Sequence, residues 1–178
     1  MRALAVVLAA ASGVPPELRG EEAGEYVVKA AFLFHFAQFV EWPPEAFQDA
    51  SSPLKYCTIG DDPFRGALEE SVQGKSVGSR TLQVQHLKGR QPIAGCHILF
   101  IGAGEKKHLA EDLSGAAGLA VLTVGETEQF AQEGGMIGFL MENDKVRFEI
   151  NMQTTAKAKL KISSRLLSLA KTVIENEN

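Results

Sequence analysis

The sequence predicts a single α/β domain with a layered, Rossmann-like sheet of about five to six strands flanked by helices, and with a C-terminal antiparallel hairpin and helices. Three observations predict this class. Short apolar runs alternate with helical segments through the middle of the chain. Two further strand-like runs then flank a polar turn. The length of 178 residues, with 45% hydrophobic content, suits one core and leaves little room for another.

The charge balance argues against some classes of partner. Lys and Arg total 18 against 22 Asp and Glu, and the formal net charge of −4 would repel nucleic acid and an anionic membrane surface. Only 22% of the residues are charged, so the composition does not indicate disorder. We therefore expect a folded protein that does not bind nucleic acid.

Residues 1–20 have the composition of a signal peptide and leader. Arg2 precedes a short apolar run over residues 4–11, and the small residues Ser12 and Gly13 follow it. This run is shorter than the roughly 20 apolar residues of a membrane-spanning helix. An amphipathic or disordered tail is the alternative interpretation. We expect a secreted chain that does not span the membrane.

The segment from about Glu25 to Val40 is predicted to be a helix, ended by the Trp-Pro-Pro sequence at 42–44. Phe32, Phe36 and Phe39 recur in it at three-to-four spacing, which favours packing in the core over a ligand site.

Strands and helices are expected to alternate in the segment that follows. Asp61 or Asp62 is predicted to cap a helix, and the continuous apolar run at 97–101 is typical of a central strand. The expected strands are 54–60, 81–86, 97–101 and 119–124, and the expected helices carry Ala67, Leu68 and Val72 or cover about 105–113 and 126–132.

The last part of the chain has a different pattern. Residues 136–141 and 145–150 flank the polar turn at 142–144, which predicts a hairpin and an antiparallel edge. Two short helices with a break between them are expected after Met152, the second capped by the serines at 163–164.

Cys57 and Cys96 lie in apolar strand-like segments. Two such thiols in an exported chain usually pair, and only one intramolecular disulfide can form. Two buried reduced thiols are the alternative if residues 1–20 are not a signal. No C-x-x-C sequence and no suitably spaced histidine pair accompanies the cysteines, so no zinc site is expected.

No arrangement of residues predicts an active site. Gly102 and Gly104 follow a strand, but the dinucleotide-binding fingerprint needs a third glycine where this chain has Lys107. Asp61 and Asp62 stand where α/β proteins bind ligands, yet a helix cap and a turn explain both carboxylates. The histidines fall on separate elements, at His35, His86, His97 and His108. We expect no catalytic, cofactor or metal site, and a protein that is not an enzyme.

The aromatic opening KAAFLFHFAQFVEWP at residues 29–43 resembles the first helix of the YfiR family. The family's successive motifs resemble further segments in the same order: 57–64 (CTIGDDPF), 96–101 (CHILFI), 122–125 (LTVG), 134–139 (GGMIGF), 146–151 (VRFEIN) and 160–167 (LKISSRLL). The likeness spans about residues 25–171 and predicts a YfiR-like domain over 25–174. Some relatives have a second cysteine pair near the hairpin, which this chain lacks, so redox control through that pair is in doubt here.

The resemblance implies a periplasmic regulator, often dimeric, that represses an inner-membrane diguanylate cyclase by binding its periplasmic domain and so modulates cyclic-di-GMP signalling. The partners it implies are this cyclase or another membrane sensor, and a second copy of the chain in a homodimer. We expect the partner surface on the hairpin and the segment after it, at Ile137, Phe139, Arg147, Glu149, Lys159, Lys161 and Arg165.

Two alternatives stay open at this point. Ile137 and Phe139 could belong to the core, with the lysines forming a solvated face. The whole chain could also be a periplasmic small-ligand-binding module of a histidine kinase or an uptake system, because an α/β sheet offers a cleft at its strand ends.

Overall fold

The computed structural model describes residues 16–88 and 91–175, with side chains from Glu22 onward. Short 3₁₀ turns cover Pro44–Ala46 and Ala103–Lys107. The elements in chain order are α1 (Pro16–Phe39), β1 (Val40–Glu41), β2 (Leu54–Ile59), α2 (Ala67–Val72), β3 (Ser76–Val77), β4 (Arg80–Leu87), β5 (Ile98–Ile101), α3 (Leu109–Ala116), β6 (Leu122–Gly125), β7 (Ile137–Glu142), β8 (Lys145–Asn151), α4 (Met152–Lys157), β9 (Lys161–Ile162), α5 (Ser164–Leu167) and β10 (Thr172–Ile174).

The main sheet has eight strands in the order β10-β8-β7-β6-β5-β2-β4-β3. Its middle, from β4 to β7, is parallel, while β3 and β8 run antiparallel to their neighbours β4 and β7. The predicted layered α/β class is confirmed. The sheet has more strands than the five to six expected, because β3 and β10 are only two and three residues long and show no periodicity of their own.

The centre of the sheet is buried on both faces, and alternate residues of the central strand β5 pack on opposite faces. Ile98 and Phe100 belong to the core shared with α1 and α2, whereas Leu99 and Ile101 belong to the core shared with α3. All four side chains are at most 1% exposed, which confirms the predicted central strand.

Helix α1 buries the aromatic face expected of it. The ring of Phe36 is fully buried, stacked on Phe139 at 5.7 Å between centroids and edge-on to Phe148 at 5.2 Å. The described part of the helix already starts at Pro16, nine residues before the predicted start. It ends at Phe39, since Val40 already pairs with Ile162 in the small sheet of β1 and β9.

The predicted capping of α2 by Asp61 or Asp62 is wrong. Helix α2 begins at Ala67 after Gly66, whose φ is +94°, and it has no side-chain cap. The Asp62 carboxylate instead accepts a hydrogen bond of 3.0 Å from the Phe64 N–H. The left-handed backbone at Gly66 delays the helix, so Asp62 stabilises a turn within the loop.

Both helices predicted after the central strands differ from the structure. The segment after β5 forms the 3₁₀ turn Ala103–Lys107, and α3 starts only at Leu109. The segment 126–132 consists of turns, with Gln129 at a φ of +61°. Phe130 causes this difference, because its buried ring fills the space beside Gly125 and Gly135 where any Cβ would clash, and a helix would not place it there.

The predicted hairpin is confirmed as β7 and β8. Asn143 and Asp144 join the strands with φ values of +49° and +59°, as in a type I′ turn. The hairpin is not the edge of the sheet as expected, because β10 pairs with the outer side of β8. Ser163 caps α5 as predicted, accepting a hydrogen bond from the Leu166 N–H at 3.3 Å.

No helix within residues 16–88 and 91–175 is long and apolar enough to cross a membrane. Most of the predicted signal peptide, residues 1–15, lies outside the described residues, and residues 16–20 form the start of α1.

Candidate functional site

Two of the residues predicted to bind a partner lie in the core. Ile137 is fully buried and Phe139 is 5% exposed, beneath Phe32 and Phe36 of α1. The alternative of core packing therefore describes their position in this structure. A contribution of these two residues to partner binding stays a prediction.

The other predicted residues are at the surface, but in two separate regions. Arg147 and Glu149 lie on β8, where Glu149 accepts a hydrogen bond from the Gln132 side chain at 3.0 Å. Lys159, Lys161 and Arg165 lie at the opposite, C-terminal end of α1 and form what we name the basic end.

The contacts of the basic end fix its place in the fold. The Lys159 ammonium lies 3.6 Å from the Glu45 carboxylate, and the Arg165 guanidinium lies 5.5 Å from the centre of the Phe39 ring. Lys161 stands opposite Glu41 in the backbone pairing of β9 with β1. At 1.5 Å per helical residue, this region is about 25 Å from the N-terminal part of α1 at Glu22.

A buried polar network joins α1 to the carboxyl ends of β5 and β6. One Glu126 oxygen accepts hydrogen bonds from the Tyr26 hydroxyl and from the Ala103 N–H, each at 3.0 Å. The other lies 2.5 Å from the Lys29 ammonium, which also pairs with Glu25. The side chains of Lys29 and Glu126 are only 5% and 6% exposed.

The electrostatics of this polar network favour a structural role. Burial, followed by the negative charge of Glu126, raises the pKa of Tyr26 above its ordinary range, so the phenol stays neutral and donates its proton. The Lys29 ammonium is compensated by two carboxylates, as a buried charge must be. The sequence signal for this site was a lysine on the buried face of an aromatic helix, and its partner could not be found locally because Glu126 is 97 residues away.

An open groove of about 1020 Å³ lies between α1 and the tip of the β7–β8 hairpin, and we name it the hairpin groove. Val28, Phe32, Met141 and Val146 give it an apolar floor. Its remaining lining residues are Glu22, Gly24 and Glu25 on α1, and Asp144, Lys145 and Arg147 on the hairpin. Arg147 is the one residue of the predicted partner surface among them.

Cys57 and Cys96 form a disulfide, as predicted, with their Cα atoms 5.8 Å apart. The bond ties β2 to the residue two positions before β5, in the core on the α3 side of the sheet. The two cysteines are 1% and 6% exposed, so the bond is part of the core.

Two of the histidines hold elements together. His97 is buried, accepts a hydrogen bond from the Lys55 N–H at Nδ1 and donates from Nε2 to the Ala46 carbonyl, each at 3.1 Å. Burial lowers the pKa of His97 to about 4, so its ring is neutral. His86 bridges Thr58 and Glu69 at 2.7 and 2.6 Å, but Thr58 is 1% exposed within a central strand and no substrate can reach it as a nucleophile.

The described part of the chain has no group of three or more His, Cys, Asp or Glu side chains arranged to hold a metal ion. The polar groups that the structure does bring together stabilise contacts between elements. Among the described residues, the hairpin groove is one surface feature that can receive another molecule. The basic end holds most of the exposed positive charge among the predicted residues.

Comparison with known proteins gives a family and a fold. The sequence model of a family described as YfiR/HmsC-like matches residues 26–171. The structure is similar to a crystal structure of a conserved domain protein from Vibrio cholerae O1 biovar El Tor strain N16961, with a TM-score of 0.51 and 7% identity. That match covers 67% of this chain and 54% of the solved chain, and at this identity it shows the fold alone.

Proposed function

Since the chain belongs to the YfiR/HmsC-like family, we propose that it is a non-enzymatic periplasmic regulator that binds and represses an inner-membrane diguanylate cyclase. The observation that carries this proposal is the family match over residues 26–171. The family is regulatory rather than catalytic, and it supports a membrane-associated signalling partner. The buried polar clusters of the structure, which serve to hold elements together, are consistent with that role.

The basic end is the surface we assign to the membrane partner. Lys159, Lys161 and Arg165 are exposed, although the chain as a whole has a net charge of −4. The three basic residues outnumber the exposed carboxylates of Glu41 and Glu45 beside them by one charge. A local positive surface on an acidic protein favours a partner that presents acidic side chains, because complementary charge speeds association and disfavours other partners. We expect such an acidic surface on the periplasmic domain of the cyclase.

The test is a pull-down of the tagged chain from detergent-solubilised membranes of its own host. We expect a membrane protein with a diguanylate cyclase domain to be captured, and cyclic-di-GMP to rise in cells when the gene is deleted. Capture of a histidine kinase or a transporter component, with unchanged cyclic-di-GMP, would instead favour the small-ligand-binding module.

Charge reversal tests the surface separately. The double variant K159E/K161E should reduce capture of the cyclase about tenfold, while K106E/K107E, two exposed lysines on the 3₁₀ turn after β5, should leave it unchanged. Equal capture by both variants would show that the cyclase binds elsewhere.

A further inference from the structure

The segment between β1 and β2 covers the ring of His97, and we name its residues 43–52 the strap. The strap contains one 3₁₀ turn and no strand. In the described part of the chain, every backbone–backbone hydrogen bond of the strap joins two strap residues to each other. The position of the strap on the sheet therefore depends on the side chains that contact it.

The main side-chain attachment of the strap is a stack of three groups. The Phe47 ring of the strap is stacked on the His97 ring at 4.3 Å between centroids, and the Arg80 guanidinium lies 3.5 Å from the Phe47 ring centre. Since the imidazole covers one face of the Phe47 ring, the guanidinium covers the other. The same guanidinium donates hydrogen bonds to the carbonyl groups of Asp49 and Ser52, at 3.0 and 2.6 Å.

The hydrogen bonds of the imidazole fix its protonation state while the strap is closed. A backbone N–H can only donate, so the Lys55 N–H, 3.1 Å from Nδ1 of His97, requires Nδ1 to carry no proton. Nε2 then carries the single ring proton and donates it to the Ala46 carbonyl of the strap. A second proton, on Nδ1, would point at the Lys55 N–H and break that bond.

The charged groups around His97 do not compensate a charged ring. Lys55 on β2 and Arg80 on β4 are both cations and oppose a further positive charge. The carboxylates of the strap have other partners, because Glu45 lies 3.6 Å from the Lys159 ammonium of the basic end and Asp49 accepts hydrogen bonds from within the strap.

A protonated His97 therefore has to reach water, and the strap lies in its way. The side chain is 4% exposed, with the rings of Trp42 and Phe47 against it. The strap residues themselves are half-buried or exposed, so the strap is the layer between the imidazole and the solvent. An uncompensated charge is costly in a buried position, and exposure of the ring requires the strap to separate from it.

We propose that the strap is an acid-released gate, which is closed over His97 while the imidazole is neutral and opens when the imidazole gains a proton. The strap also forms part of the wall of a cavity of about 310 Å³, through Pro43, Glu45 and Ala46. Cys96 of the disulfide is among the other lining residues of that cavity. Opening of the strap would admit solvent to this side of the disulfide. The proposal does not rest on repression of a cyclase.

The test is an NMR titration of the purified chain between pH 7 and 3.5. Contacts between the ring protons of Phe47 and His97 should be present at pH 7 and should disappear as the imidazole titrates, near pH 4. The amide resonances of β5 should keep their positions over the same range. Loss of the β5 resonances together with the ring contacts would show that acid unfolds the whole chain, and contacts that persist on a protonated ring would show that the strap stays closed. Either result would overturn the proposal.

Variants separate the titration from the cover. H97N cannot gain the proton, and its side-chain oxygen can still accept the Lys55 N–H, so the strap should stay closed in acid. At pH 4, pepsin should cleave the wild-type strap at Phe47 at least about tenfold faster than the H97N strap, because about half of the wild-type rings are then charged. H108N, which replaces a histidine whose side chain is 59% exposed, is the matched control and should be cleaved like the wild type.

F47A removes the cover and keeps the titrating ring. The pKa of His97, measured by NMR, should rise in F47A by at least about one unit towards the ordinary value of about 6.5, because water then reaches the imidazole. Equal cleavage of the wild-type and H97N chains at pH 4, or an unchanged pKa of His97 in F47A, would contradict a strap that opens on protonation.

Discussion

Lys29 is a charged side chain placed inside the core, and its environment decides whether it stabilises the fold. Removing the charge of Glu126 would leave the ammonium with Glu25 alone, while Tyr26 and the Ala103 N–H could still bond to an amide oxygen. Breaking a buried ion pair costs more than replacing both partners, because the remaining charge stays buried without compensation.

We therefore predict that E126Q lowers the free energy of unfolding by about 2 to 4 kcal/mol. The double variant K29M/E126Q should be more stable than E126Q, since it removes the isolated charge. Urea unfolding of both single variants and the double variant gives the coupling energy. Additive effects of the two substitutions would contradict a direct interaction between these side chains.

The depressed pKa of His97 makes the stability depend on pH. The ring is neutral when folded down to about pH 4, whereas an unfolded histidine gains its proton near pH 6.5. The unfolded state thus binds more protons in this window, so the free energy of unfolding falls as the pH drops from 6.5 to 4, by up to about 3 kcal/mol. Urea unfolding across that range, with H97Q as the variant lacking this titration, measures it. An equal slope in H97Q would assign the effect to other groups.

These polar residues could be seen in the sequence but their roles could not. Lys29 bonds to Glu126, which is 97 residues away, and His97 bonds to Ala46, which is 51 residues away. Local periodicity contains no information about such distant pairs. The cysteine pair was predictable because only one pairing existed.

At the scale of elements, the segments with strong local signals formed as predicted. The turn at Asn143 and Asp144 requires left-handed backbone, which these two residue types tolerate. The four apolar residues of β5 are all buried, which a strand achieves only at the centre of a sheet covered on both faces. The segment 126–132 failed as a helix because Phe130 is drawn into the core, a tertiary effect that outweighs helix propensity.

Gly24 lies inside helix α1, where glycine lowers helix stability relative to alanine. Apart from its chain neighbours and the backbone of its own helix, no atom lies within 4 Å of the position that a Cβ would take there, so packing does not require glycine. We predict that G24A raises the free energy of unfolding by about 0.5 to 1 kcal/mol and Tm by about 1 to 4 °C. G135A, where a Cβ would meet the Phe130 ring, should have the opposite effect. Differential scanning calorimetry measures both, and a lower Tm for G24A would indicate that the helix bends there.

On the scale of the whole molecule, the sheet separates two cores, and the disulfide stabilises the one without α1. The bond closes a loop between positions 39 residues apart. Its removal should act mainly on the unfolded chain, whose conformational freedom increases when the loop is opened.

We predict that the double variant C57A/C96A loses about 4 kcal/mol of stability while partner capture stays the same under conditions where it is folded. Guanidinium unfolding, with the oxidised and reduced wild-type chain for comparison, gives the difference. Loss of partner capture at full folding would show that the bond shapes the binding surface as well.

The contacts of α1 also set an order of events during synthesis. Phe36 packs on Phe139 and Phe148, which follow it in the chain by about a hundred residues. Strand β1 likewise cannot pair until β9, which lies far along the chain, is available. A chain that emerges from its N-terminus, at the ribosome or during export, therefore exposes these aromatic side chains long before the hairpin that covers them is available. Such long-range closure slows folding and leaves apolar surface open to aggregation meanwhile. The nascent chain should therefore need a holding chaperone until residue 162 has emerged, and a fragment truncated before the hairpin should be captured by one.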